Sequence, residues 1–162
     1  LGEAIVARKR ITAARFAELM ESGELHSRII RDVAELETHL NAIIAAYFAP
    51  PARSAPFTEL VLDRLSVWAK VGVVERLPFE RQPRSLRHIQ ALKDIVLARN
   101  FVAHRHCLPP GGAPARVKPW LYLLADYPKA YDAHLRSVRH MLRSLLRTRD
   151  LARPSPRMRR EE

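Results

Sequence analysis

The chain has 162 residues, 48% of them hydrophobic, enough for one globular domain that buries roughly two thirds of its unfolded surface. Lys and Arg number 28 against 17 Asp and Glu, which gives a formal charge of +11 and a pI near 10.8. No apolar run approaches the ~20 residues that cross a bilayer, the single Cys107 excludes an internal disulfide, and residues 1–15 lack the apolar core of a signal peptide.

A cytoplasmic protein without membrane attachment is therefore expected, the lone thiol suiting a reducing compartment. The positive charge is mostly arginine, and a guanidinium grips phosphate oxygens in a bidentate way. That points to a polyanionic partner, RNA or DNA first. A basic surface that binds nothing in particular is the plainer alternative.

In chain order the periodicity predicts five helices and no strand. The first covers about 3–20. The second, about 24–48, has the clearest pattern: Leu25, Ile29, Val33, Leu36, Leu40, Ile43 and Tyr47 recur at steps of four and three. Glu24, Arg28, Arg31, Asp32, Glu35 and Glu37 lie largely off that stripe, and Pro50 and Pro51 end the helix. Ser54, followed by Pro56, predicts the start of a third helix over about 57–73, with Phe57, Leu60, Val61, Leu65 and Trp68 on its inner face.

A loop between Pro78 and Pro83 leads to a fourth helix over about 84–103, whose stripe is Ile89, Leu92, Val96, Arg99 and Ala103. Residues 106–127 contain four prolines and the pair Gly111-Gly112, which predicts a long irregular connection. Asp126 is the expected cap of a fifth helix over about 128–149. There Tyr131, Leu135, Val138, Leu142 and Leu145 face inward, and Arg136, Arg139, Arg143 and Arg147 face the other side. The sum is an all-α antiparallel bundle occupying residues 1–150, followed by a basic tail, 151–162, expected to be disordered.

Arg99 breaks a pattern. Steps of three and four from Ile89 require an apolar residue at position 99, and a buried guanidinium is costly unless it is paired, faces a wet cleft or meets a second subunit. Asn100 and His104, four apart, share a helix face. His104 lies about 140° around the helix from Arg99, so the two border a common groove only if the helix end loosens.

Arg99-Asn100-Phe101-Val102-Ala103-His104 resembles the Arg-x4–6-His signature of the HEPN superfamily in its Arg-Asn-x-x-x-His form. An apolar helix leads into the motif, two long helices precede it and another follows. The segment 62–74, with Trp68 and Lys70, also looks like the helix before the motif in several HEPN branches. The resemblance covers about residues 24–149, and its specific part is six residues.

What it implies is an all-α HEPN-like domain that cleaves RNA without a metal or other cofactor, in a homodimer whose two motifs meet across the interface. His104 would draw the proton from a ribose 2′-hydroxyl, Arg99 would stabilise charge on the phosphorane-like transition state, and Asn100 would orient one of them or hold a phosphate. The product would carry a 2′,3′-cyclic phosphate. A toxin of a toxin–antitoxin or defence system, with an antitoxin protein as partner, is the biological setting that the resemblance suggests. The rival readings are a non-catalytic HEPN-type module binding nucleic acid or a partner protein, and a structural helical adaptor whose charge is incidental, with Asn100 as a C-cap, Arg99 on a carboxylate and His104 on the last carbonyls.

For substrate contact, Arg105 directly after the motif is the first candidate, with His106 beside it and Arg116 and Lys118 in the long connection next. Trp120 and Tyr122 are read as packing residues in preference to base-stacking ones. The outer arginines of the last helix and the tail form a candidate RNA track, with a solvated helix face as the plain alternative. His104, His106 and Cys107 sit close together, but the chain has no second cysteine and no spaced ligand pair, so no metal site is expected.

Overall fold

The computed structural model describes residues 13–77, 88–103 and 119–147. Among these the protein is all-helical, with seven α-helices: α1 (Ala13–Glu21), α2 (Gly23–Phe48), α3 (Ser54–Leu60), α4 (Val67–Glu75), α5 (Ile89–Ala103), α6 (Pro119–Ala125) and α7 (Lys129–Arg147). Short 3-10 turns at Pro51–Arg53 and Leu62–Arg64 flank α3. Among the described residues no helix is long and apolar enough to cross a membrane.

The long second helix forms as its stripe predicts. Leu25, Ile29, Val33, Leu36, Leu40 and Ile43 are all buried. Ser22 caps its start, its hydroxyl accepting from the Leu25 N–H at 3.2 Å. Pro50 and Pro51 follow its end, where the Ala49 N–H still reaches the Ala45 carbonyl.

Two predicted elements are corrected. The third helix is split, because Ser66 takes the Ala69 N–H on its hydroxyl at 3.2 Å and starts a new helix there. Leu65, immediately before that cap, is extended. The break changes which residues face inward. Leu60, Val61 and Trp68 are exposed, at 61%, 43% and 46%, while Leu62, Lys70, Val71 and Val74 are buried. The second correction is α6, a short helix inside the segment expected to be irregular. It opens on Pro119, whose missing N–H costs nothing in a first helical turn.

The fifth predicted helix corresponds to α7. The peptide bond before Pro128 is cis. Asp126 accepts from the Ala130 N–H through its backbone carbonyl, and the Pro128 carbonyl accepts from Asp132. The tail, 151–162, lies outside the described residues.

Side-chain pairs give the helix directions. Arg28 pairs with Asp132 and Glu35 with Arg139, so α2 and α7 run in parallel. Phe101, near the end of α5, meets Phe16 of α1 edge-on at 5.7 Å. Arg15 of α1 and Arg28 of α2 both reach Tyr127, just before α7. The end of α5 and the starts of α2 and α7 therefore gather at one pole of the bundle. At the other pole, Phe48, Pro50, Arg53, Pro56, Phe57, Leu60 and Val61 line an open, largely apolar depression of about 690 Å³.

Candidate functional site

The predicted site straddles the end of α5, and the structure describes Arg99 and Asn100 of it. His104, Arg105, His106, Arg116 and Lys118 lie outside the described residues, as does Cys107.

α5 buries Leu92, Ile95, Val96, Ala98 and Val102. Arg99 is half-buried at the border of that face, beside Ala98 and one turn past Val96, while Ala103 at the end of the predicted stripe is exposed. The guanidinium is held from one side: its Nη1 donates to the Asn100 Oδ1 at 3.0 Å. Its Nε is buried and has no hydrogen-bond partner among the described residues. A buried donor without a partner costs ~1–3 kcal/mol, and among the described residues the same holds for His26 Nε2 and the Asn41 Oδ1 acceptor. Of the roles open to Asn100 in the sequence, orienting Arg99 is the one its contact fits.

The aromatic neighbours are packing groups. Phe101 packs on Phe16. Tyr122 is half-buried against the core, with its ring 6.4 Å from that of His134. The side chain of Trp120 lies outside the described residues.

A polar seam between α2 and α7 escaped the periodicity. Asp32 is buried and accepts from the Tyr131 hydroxyl at 3.2 Å and from Arg139 Nη2 at 3.3 Å. Arg139 also grips Glu35 with two nitrogens, one of them Nε at 3.1 Å. Arg28 is paired with Asp132, donates to the Tyr127 hydroxyl at 3.3 Å and lies over the rings of Tyr127 and Tyr131. The hydrogen bond from Arg139 holds the Glu35 carboxyl below its usual range, and the same contact raises the Arg139 pKa. Burial works against the charge of Arg28, yet Tyr127 and Asp132 raise its pKa overall. Burial, reinforced by Asp32, pushes the Tyr131 phenol far above the ordinary tyrosine range.

Every carboxylate in this seam already has a guanidinium. It offers no free base and fastens two parallel helices. The sequence did carry a signal, since Asp32 lies three residues after Ile29 and four before Leu36 and so belongs on the buried stripe from which it was set apart.

Two further polar groups are buried. Lys70 is 1% exposed and ion-paired with Glu37. Asp94 accepts from Gln90 Nε2 at 3.0 Å, and Glu75 is paired with Lys93 at 2.8 Å. Among the described residues no three His, Cys, Asp or Glu side chains are grouped to hold a metal ion.

No protein-family model, no curated protein and no solved structure matches the chain.

Proposed function

We propose that the chain is a metal-independent endoribonuclease of the HEPN type, acting through Arg99, Asn100 and His104. The observation that supports this most is the state of Arg99: an arginine on the edge of an apolar face, fixed by its neighbour Asn100, with a buried N–H left over. A core arginine kept for stability would have its donors satisfied by the fold. One held in place with a donor to spare suits an anion that arrives and leaves.

In this reading the scissile phosphate takes the free side of the guanidinium. His104 removes the proton from the 2′-hydroxyl, a task that suits histidine as a residue type, and that oxygen attacks the adjacent phosphorus. The 5′-oxygen of the next nucleotide leaves and takes up a proton, giving a 2′,3′-cyclic phosphate and a 5′-hydroxyl. Arg99 carries the added negative charge in the transition state. The protein acts as a homodimer whose two motifs share one site, which accounts for an arginine on an otherwise apolar stripe. Arg105, His106, Arg116 and Lys118 contact the substrate, and an inhibitory antitoxin-like protein covers the site in the cell.

The test is RNA cleavage in excess EDTA with analysis of product ends. The reading predicts cyclic phosphate ends and no cut at a linkage whose ribose lacks the 2′-hydroxyl. Cleavage at such a linkage, or activity abolished by EDTA, would overturn the mechanism. Binding of RNA without cleavage between pH ~6 and 8, where histidine titrates, would leave the non-catalytic module in its place.

A further inference from the structure

We propose that the outer face of α7 is a phosphodiester track that holds the flank of a single-stranded RNA. Lys129, Ala133, Arg136, His140, Arg143 and Arg147 follow one another at steps of four and three, so they form one line along the helix, and all six are exposed. Four are Lys or Arg, a fifth is His140, and no acid falls on the line. The one acid of α7, Asp132, is turned aside to Arg28. None of the five basic residues makes an ion pair among the described residues, Arg143 adding only a longer-range attraction on Glu35, whereas Arg139 on the same helix is withdrawn into the seam with Asp32 and Glu35. The four arginines that the sequence grouped therefore divide into one that fastens the fold and three that face solvent.

The line spans the 19 residues of α7, about 27 Å from first to last at 1.5 Å per step. That length lets several successive phosphates of a single strand lie along it. It starts at Lys129, at the pole where α5 ends with Arg99, and leads away from it. A strand lying along it would run toward the pole that holds Arg99, and here the choice of RNA rests on the ribonuclease reading.

The surface does not suit other anionic partners. The apolar side chains of α7, from Tyr131 to Leu145, are spent on the core, and Leu146 alone among its large apolar residues is exposed. An interfacial membrane helix needs a whole apolar face for lipid. A protein partner needs a buried apolar or aromatic anchor, and the line has none. With no Phe, Tyr or Trp on it, the track holds chiefly phosphates, so it has little preference for sequence.

The test uses the full chain and fluorescein-labelled 12-mers of 2′-O-methyl uridine and 2′-O-methyl adenosine, which attack by a 2′-hydroxyl cannot cut. Dissociation constants are measured across a salt series for the parent and for the triple variant Arg136→Gln/Arg143→Gln/Arg147→Gln. Each lost phosphate contact to a single strand lowers the log–log salt slope by about 0.7, so the variant's slope falls by about 2. The two probes bind the parent within about three-fold of each other, as contacts to phosphate alone require. The variant's thermal midpoint stays within about 2 °C of the parent, since the three side chains are exposed and lose no ion pair among the described residues. An unchanged slope, or a preference of ten-fold or more between the probes, would overturn the track. Equally tight binding of a polyglutamate of the same charge would show a general polyanion surface and would also overturn it. Because the probes cannot be cut, these results stand apart from whether the chain cleaves RNA.

Discussion

Lys70 sits inside the protein with one carboxylate for company, and that pairing makes an asymmetric prediction. Its side chain is 1% exposed, while Glu37 retains 31% of its surface. Glu37→Ala leaves an ammonium buried without a counter-charge. Removing one partner of a fully buried pair costs ~3–5 kcal/mol, and the open side of Glu37, which lets water replace part of the lost contact, brings this to about 2–3 kcal/mol. Lys70→Met keeps the packing of the stem, removes the charge and leaves Glu37 to solvent, at a cost of about 1 kcal/mol or less.

For a chain of this length 1 kcal/mol moves the midpoint by about 2–4 °C. Glu37→Ala is thus expected to lower Tm by roughly 5–10 °C and Lys70→Met by no more than about 4 °C. The double variant should match Lys70→Met alone within about 0.5 kcal/mol. Urea unfolding followed by circular dichroism measures all three, and an unchanged m-value confirms that only stability has moved. Equal losses in the two single variants, or no loss in Glu37→Ala, would refute the claim that the ammonium is the group that needs its partner.

Other consequences follow from the α2–α7 seam and the core. Tyr131→Phe should cost about 1 kcal/mol, since Asp32 keeps Arg139. The same variant should leave unchanged the phenolate absorbance that the folded protein develops between about pH 9 and 11, where ordinary tyrosines ionise, because burial keeps the Tyr131 proton in place. Glu35 has its pKa lowered from 4.5 by Arg139, so its contribution is whole above that value and is lost as pH falls through the lower folded one. Its side chain is 39% exposed, so the effect is a few tenths to about 1 kcal/mol and fades with salt. In Glu35→Gln the acid limb of the stability curve should be shallower by that amount, read from denaturant midpoints between pH ~3 and 7. Leu142→Ala, at a site with no exposure, should lose ~2–5 kcal/mol in the same assay.

What could be read in the sequence was periodicity. The stripes of α2 and α7 mark their buried faces because each helix is long and packs along one side. The stretch 57–73 misled because its apolar residues are too many: Phe57, Leu60, Val61, Leu65 and Trp68 fit one helical face, but a serine cap at Ser66 restarts the helix there. α6 was hidden by the prolines around it, one of which opens it. The polar seam was hidden for a different reason. A charged residue on an apolar stripe is read as displaced, and Asp32 is instead buried with a phenol and two guanidiniums within reach, a pairing that joins residues about a hundred positions apart. Arg99 stood out by the same irregularity, and there the structure describes a donor left over where Asp32 has its partners. Arg139 and the other arginines of α7 look alike in composition, and its place off their line, beside Asp32 and Glu35 of the facing helix, separates it from them.

The central claim is that Arg99 and His104 cut RNA. The direct measurement is single-turnover cleavage of one labelled RNA in EDTA by the parent, Arg99→Ala and His104→Ala, each checked for its folded circular dichroism spectrum. Loss of a positioned charge or of a general base is worth about 10²–10⁴ in rate, so both variants should fall at least a hundred-fold while remaining folded. Cleavage at the parental rate by either folded variant would contradict the account.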